Sequence, residues 1–296
     1  MGDIKLFSIN GNITELLPSK VGLEKELQTL IENNMETFFG VTFIKSEFAI
    51  SNGRIDSLGI DENFCPVIFE YKRSINENVI NQGLFYLDWL LDHKAEFKLL
   101  VMEVLGYETA DKIDWSMPCV ICIASDFTKF DEHAVNQMHR NIKLVKYKKY
   151  SELILFEHIN APNVKPVAED NELNQQTKTH DKTFLQQYEN APANIKDIYN
   201  SLRSYILSLG DDVSENQLKL YVAFRKIRNF ACIEVYSNRI LMNLKLNPDI
   251  VDLKENYIRD IREIGHWGTG DLQVIIKSSE DCENAKSLIE RAYIEG

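Results

Sequence analysis

The stretch GRIDSLGIDENFCPVIFEYKR, Gly53 to Arg73, decides how this chain is read. GRIDSLGI and PVIFEYKR are strand-like runs rich in β-branched and aromatic residues, joined by the polar segment DENFC (Asp61–Cys65), which has the chemistry of a hairpin loop. If Ile60 pairs with Pro66, partner numbers across the hairpin sum to 126, and Asp56 stands opposite Glu70. Side chains alternate along a strand, so Lys72 shares a face with Glu70. The flanking residues Ile55, Val67, Ile68 and Phe69 are apolar.

Two carboxylates directly opposed repel. A divalent cation compensates that repulsion: Mg2+ takes one or two carboxylates, keeps several waters and accepts phosphate oxygens. Such an ion activates water and stabilises charge on a phosphate, and a neighbouring lysine neutralises developing negative charge. Asp56, Glu70 and Lys72 therefore make chemical sense as a unit, the alternative being a salt-bridge cluster on a half-exposed sheet.

Outward from the hairpin, VGLEKELQTLIENNMETFFG reads as a helix with Leu23, Leu27, Leu30 and Ile31 at helical spacing, ended by Gly40. Glu26 falls at the edge of that stripe and is expected to face the sheet, as a ligand or through a metal-bound water, unless Glu24, Glu26 and Glu32 form a solvated acidic face. IKLFSI and ITELL read as short extended stretches and TFIKSEFAI as a strand. ENVINQGLFYLDWLLDHK and EFKLLVMEVLG read as helices, PCVICIAS as a buried strand, KFDEHAVNQMHR as a helix, and IKLVKYKKYSELILFEHI as one long or broken strand pair. The order is that of a mixed sheet with helices around it. Residues 161–182 contain no aromatic side chain and read as a linker between a first domain (1–160) and a second (183–296). In the second, PANIKDIYNSLRSYILSLG is a helix, and QLKLYVAFRKI, ACIEVYSN, RILMNLKL and LQVIIKS are strands with a turn at Ser237-Asn238. SEDCENAKSLIERAYI is a closing helix capped by Ser279.

The segments LEKELQTLIENN, SEF, GRIDSLGID, VIFEYKR and NQGLFYLDWL together resemble the PD-(D/E)XK nuclease superfamily, and within it the NucS/RecB-like endonucleases, over Leu23 to about Ile159. The resemblance implies a restriction-endonuclease-like mixed sheet flanked by helices. It also implies a Mg2+- or Mn2+-dependent endonuclease and a site made of Glu26, Asp56, Glu70, Lys72, Gln82 and Tyr86, with Asp56, Glu70 and Glu26 as metal ligands. Gln82 and Tyr86, at i and i+4 on one helix, share a face. In NucS-type enzymes the nuclease follows a separate binding domain; here it comes first. SLRSYILSLGDDV, LYVAFRKIRNFACIEV and IGHWGTGDLQV resemble an uncharacterised small α+β domain found appended to such modules, which implies fold alone.

Composition sets limits. The 296 residues carry a formal charge of −12, which argues against a general nucleic-acid coat protein while leaving room for a local basic strip. Lys143, Lys146, Lys148 and Lys149 form one candidate strip and Arg225, Lys226 and Arg228, interleaved with aromatics, another; the alternatives are a lysine-guarded strand edge and one charged face of a strand. DNA is expected as partner in preference to RNA, with a second copy of the chain or another protein also admitted. No apolar run approaches the roughly 20 residues that span a bilayer, no secretory signal is visible, and the five scattered cysteines read as reduced thiols of a cytoplasmic protein. Cys119 and Cys122 fall on opposite faces of a strand and lack a second pair, so zinc is not expected. GHWGTGD reads as a tight turn needing Gly265, Gly268 and Gly270, with Trp267 as a plug, over a catalytic reading of His266, Trp267 and Asp271. The competing reading of the whole chain is a non-catalytic nucleic-acid or protein-binding module on a nuclease scaffold.

Overall fold

The structure, a computed structural model, describes residues 4–19, 24–72, 79–160, 182–254 and 256–296. It divides into two compact units: Met1–Asp61, Pro66–Ile113 and Pro118–Val164 form the first; Glu62–Cys65, Asp114–Met117 and Lys165–Gly296 form the second. The expected linker, apart from Lys182, lies outside the described residues, as does Leu23.

The first unit opens with a small hairpin, β1 (Leu6–Ser8) and β2 (Thr14–Leu16). Its main sheet is mixed and six-stranded, in the order β3 (Val41–Ile50), β4 (Gly53–Asp61), β5 (Pro66–Lys72), β6 (Cys119–Ala124), β7 (Asn141–Tyr150), β8 (Leu153–His158). The β3–β4–β5 meander and the β7–β8 pair are antiparallel, while β5, β6 and β7 run parallel. Parallel strands need long crossovers. Those are supplied by α3 (Val79–Asp92), α4 (Lys94–Leu105) and α5 (Tyr107–Asp111) between β5 and β6, and by α6 (Lys129–Gln137) between β6 and β7. Burial on both faces explains why β6 is an unbroken apolar run, CVICIA, with every residue buried.

The single helix expected from Val21 to Phe39 is two: α1 (Glu24–Asn33) and α2 (Met35–Phe39), separated at Asn34, whose side-chain amide donates to the Leu30 carbonyl. Gly40, at φ +63°, ends α2 as expected. Leu27, Ile31, Met35 and Phe39 cover one sheet face, packing with Phe69, Tyr71, Ile121 and Ile123. Leu30, read as part of that stripe, is exposed, and Gln28 is buried in its place. The opposite face carries α3, brought close by Gly83: a Cβ there would lie 2.6 Å from Val120 Cγ1.

The second unit is an antiparallel sheet in the order β13 (Ile258–Asp260), β14 (Leu272–Ile276), β12 (Ile240–Leu244), β11 (Asn229–Val235), β10 (Val222–Arg225), β9 (Ser214–Gln217). It is accompanied by α7 (Phe184–Asn190), α8 (Ala193–Leu207) and α9 (Ser279–Glu295). Leu202 and Ile206 of α8 and Ala285 and Ile289 of α9 share a core with Phe224, Ile233, Met242 and Val274. The run read as one strand, QLKLYVAFRKI, is broken by a turn in which Leu218 N–H donates to the Tyr221 carbonyl, and only Val222–Arg225 remain in β10. Ser278, one residue before the expected Ser279, caps α9 in a reciprocal box with Asp281. The turn at 265–271 needs glycine at two of the three expected positions: Gly268 and Gly270 have φ of +78° and +125°, and added Cβ atoms would strike Cys232 and the Leu244 backbone. Gly265 meets nothing, and Trp267 is half exposed rather than a plug.

The β3–β4 contact predicts a measurable cost. A Cβ on Gly59 would sit 2.4 Å from Val41 Cγ1 and 2.9 Å from the Thr42 carbonyl oxygen. Because the second neighbour is backbone, Gly59→Ala should lose about 1–3 kcal/mol of stability, read as a lower midpoint in urea with an unchanged m-value.

Candidate active site

The β4–β5 register is the one the hairpin arithmetic gave: Ser57 pairs with Phe69, Leu58 with Ile68, Gly59 with Val67 and Ile60 with Pro66. At the next position the ladder changes character. The Asp56 amide donates to Glu70 Oε1 at 3.2 Å, and the Tyr71 amide donates to Asp56 Oδ2 at 3.0 Å. Side-chain carboxylate oxygens thus take backbone donors at the point where the two strands part. Glu70 is buried and Asp56 half-buried, while Lys72, two residues on, has its Nζ 3.7 Å from the Glu24 carboxylate of α1.

Burial sets the electrostatics of the pair. It pushes Asp56 above the ordinary carboxylate range, against the Tyr71 amide and the Lys72 charge that favour the ionised form. It pushes Glu70 further, to about 9, with the Asp56 charge adding to the effect. Left alone, the two cannot both carry charge comfortably at neutral pH.

Behind the strand, a chain of hydrogen bonds ties α1 to the same spot. The Gln28 amide nitrogen donates to the Asp56 carbonyl and to Glu32 Oε1, both at 2.8 Å; Ser57 Oγ donates to Glu32 Oε1 at 2.6 Å, and Tyr71 Oη to Ser57 Oγ at 3.1 Å. Gln28, Ser57 and Tyr71 are buried. The residues Glu24, Gln28 and Glu32 repeat at four-residue spacing, which is the sequence signal that would have identified this face of α1.

A third carboxylate stands beside Asp56 on β3. The pairs Ser46–Ser57 and Phe48–Ile55 leave Glu47 opposite Asp56, and Glu47 has φ +53° in the middle of a strand. Its carboxylate lies 2.5 Å from Arg54 Nε and 3.0 Å from Lys25 Nζ. Burial acts to raise Glu47, but hydrogen bonds from Lys25 and Gln28 and the charges of Lys25 and Arg54 outweigh it, and the group is held below the usual range. A non-glycine residue in this backbone region costs on the order of 1–3 kcal/mol. Each of its two ion pairs, with Arg54 and Lys25, returns about 0–1 kcal/mol, so they offset the backbone cost only in part or just match it. Glu47 was legible from the hairpin about Ser51-Asn52, where Ile50 pairs with Gly53, as readily as Asp56 was from the next one.

The other expected site residues distribute unevenly. Glu26 is exposed rather than turned to the sheet, because Leu27, Gln28 and Ile31 take the buried face of α1. Gln82 and Tyr86 do not share an environment: Gln82 is exposed, whereas Tyr86 is buried, its ring against Gly53 and its hydroxyl accepting from the Arg54 amide at 3.4 Å. Lys143, Lys146 and Lys148 lie on β7, between β6 and β8 in the sheet, with β6 pairing only as far as Lys146. They are half-buried, with Lys146 Nζ 2.7 Å from Asp126. Arg225 is buried and donates to the Ile227 carbonyl; Lys226 is exposed against the Tyr293 ring and Arg228 half-buried, so the three do not make one basic face. Cys119 and Cys122 are buried, Cys119 in the core under α1 and α2 and Cys122 with its Sγ 3.9 Å from the Val79 carbonyl of α3. Among the described residues no three His, Cys, Asp or Glu side chains converge closely enough to hold a metal ion, and no helix is long and apolar enough to cross a membrane.

Residues 185–294 match the family described as Domain of unknown function (DUF5655). A Haemophilus influenzae protein (strain ATCC 51907 / DSM 11121 / KW20 / Rd), described as "Uncharacterized protein", is 32% identical over 305 residues, covering 98% of this chain and 99% of the relative. Two solved structures share part of the chain. One is the "Structure of EndoMS-dsDNA2 complex", 22% identical over 43% of this chain and 47% of that one, with a TM-score of 0.29. The other is a "crystal structure of a repair endonuclease from Pyrococcus abyssi", 20% identical over 43% of this chain and 49% of that one, with a TM-score of 0.29. This chain spans about half the length of each.

The buried pair predicts a direction for stability. Glu70 changes from an ordinary value of 4.5 to about 9 on folding, so between those pH values the folded chain holds a proton that the unfolded chain has lost. Stability is therefore greatest below about pH 4.5 for this group and falls as pH rises towards 9, by at most about 1.4 kcal/mol per pH unit. In EDTA, the melting temperature of Glu70→Gln should decline less between pH 5 and 9 than that of the parent; parallel declines would contradict it.

Proposed function

This chain belongs to the same family as its full-length Haemophilus influenzae relative, and we propose that it is a metal-dependent nuclease that hydrolyses phosphodiester bonds, with DNA as substrate and internal cleavage as the mode. The observation that carries this reading is the parting of β4 and β5 at Asp56 and Glu70, where two burial-raised carboxylates meet with Lys72 two residues away.

The donor set suits a hard cation. Carboxylate oxygens select Mg2+ or Mn2+ over softer metals, and Mg2+ sites commonly use only one or two protein carboxylates, the rest being water and phosphate oxygens. Asp56 and Glu70 would hold the ion, and the cost of charging both is the cost such an ion removes. Its arrival would displace the Glu70 proton, so affinity for the ion should rise with pH. When bound, the ion supplies Lewis-acid stabilisation of the phosphate and a more acidic water. Lys72 neutralises negative charge developing on the phosphate oxygens. The Gln28–Glu32–Ser57–Tyr71 chain keeps the Asp56 backbone and the Tyr71 amide in place, and Tyr86 fixes the backbone at Arg54.

A second reading, a non-catalytic nucleic-acid or protein-binding module on the same scaffold, draws on two observations. The chain carries a formal charge of −12. Among the described residues, no third His, Cys, Asp or Glu joins Asp56 and Glu70 in a group that could hold a metal ion.

Incubation of supercoiled plasmid, single-stranded DNA and RNA with the protein in Mg2+, Mn2+ or EDTA separates the two. The nuclease reading expects metal-dependent nicking, reduced by about 100-fold or more in Asp56→Ala and Lys72→Ala. Cleavage that survives EDTA or persists in both variants would overturn the site. Binding without cleavage by the parent would establish the second reading.

A further inference from the structure

Four described non-glycine residues have positive φ: Glu47, Phe64, Ser151 and Asn256. Phe64, Ser151 and Asn256 lie in bends or turns; Glu47 lies inside a strand. The bent backbone brings its carboxylate onto Arg54 Nε and Lys25 Nζ. Backbone strain of this kind concentrates where a side chain must be aimed.

Arg54 is what Glu47 aims. It precedes Asp56 by two residues on β4, and the carboxylate it pairs with is that of Glu47, which stands opposite Asp56. Its backbone is held from another element: the Arg54 amide donates to Tyr86 Oη, and the Tyr86 ring leaves no room for a side chain at Gly53, where a Cβ would come within 2.8 Å. Its side chain is 64% exposed, and Glu47 engages it through Nε. A guanidinium carries five donors in a planar fork suited to a phosphodiester, and it keeps its charge at every working pH. Glu47 is charged as well, since Lys25 and Arg54 hold its carboxyl down.

We propose that Arg54 binds a backbone phosphate of nucleic acid beside the Asp56–Glu70 pair, and that Glu47 is the positioning residue that orients its guanidinium. The ligand class rests on the nuclease reading; the pairing of Arg54 with Glu47 does not.

The test is titration of a fluorescein-labelled 20-nucleotide DNA, single- and double-stranded, followed by anisotropy in EDTA at several salt concentrations, with cleavage kinetics in Mn2+ alongside. Arg54→Gln should weaken binding about tenfold and lower the salt slope by about one. KM should rise with kcat little changed, and Arg54→Lys should recover part of the affinity. Glu47→Gly should melt no lower than the parent, because glycine accepts the backbone conformation, yet bind DNA more weakly. Parent-like binding by Arg54→Gln overturns the assignment while leaving any observed cleavage to support the nuclease reading. A Glu47→Gly protein that melts lower and binds normally overturns the positioning role. If the parent binds without cleaving and Arg54→Gln still binds more weakly, the assignment stands and the nuclease reading falls. If the parent neither binds nor cleaves, both fall.

Discussion

The Asp56–Glu70 contact organises the first unit. For four pairs the β4–β5 hairpin is an ordinary antiparallel ladder; then carboxylate oxygens accept the next backbone amides and the strands part. Burial at this point is what raises both carboxyls above their ordinary range. The half-open ladder buries the acidic pair where the strands part.

Much of the surrounding structure can be understood as support for that opening. On one side α1 delivers Gln28 to the Asp56 carbonyl, and the aliphatic stripe of Leu27, Ile31, Met35 and Phe39 anchors the helix pair to the sheet. On the other, α3 packs closely because Gly83 has no side chain, which lets Tyr86 reach the start of β4. Buried polar chains of this kind are costly when incomplete and rigidifying when complete. Here the chain from Gln28 through Glu32 and Ser57 to Tyr71 is continuous. The second unit is an antiparallel sheet with α8 and α9 packed on its apolar core, and with Asn243 and Gln273 buried and hydrogen-bonded to each other on neighbouring strands.

Sequence patterns proved legible where the physics is local. The hairpin register followed from loop length and side-chain alternation, and the apolar run of β6 followed from burial on both faces. Helix positions were harder. Glu26 looked like the inward carboxylate because Leu23 and Leu30 seemed to define the stripe, yet Leu30 is exposed and Gln28 lies inside. A polar residue with a buried partner cannot be told from a solvated one by periodicity, since its partner, the Asp56 carbonyl, lies on another element. Two of the basic residues, Arg225 and Lys146, have a carbonyl and a carboxylate as partners that spacing does not reveal.

By itself, then, the sequence determined the strand pairing that sets Asp56 against Glu70 with Lys72 nearby, the mixed sheet around them, and a second α+β unit after it. These depend on alternation, turn chemistry and apolar period, which act between near neighbours in the chain. Only the tertiary structure decided which α1 residues face the site, that Tyr86 is buried and Gln82 is not, and that Glu47 bends its strand to hold Arg54. Those outcomes depend on the depth of burial and on partners from distant segments, and both arise only when the helices close over the sheet.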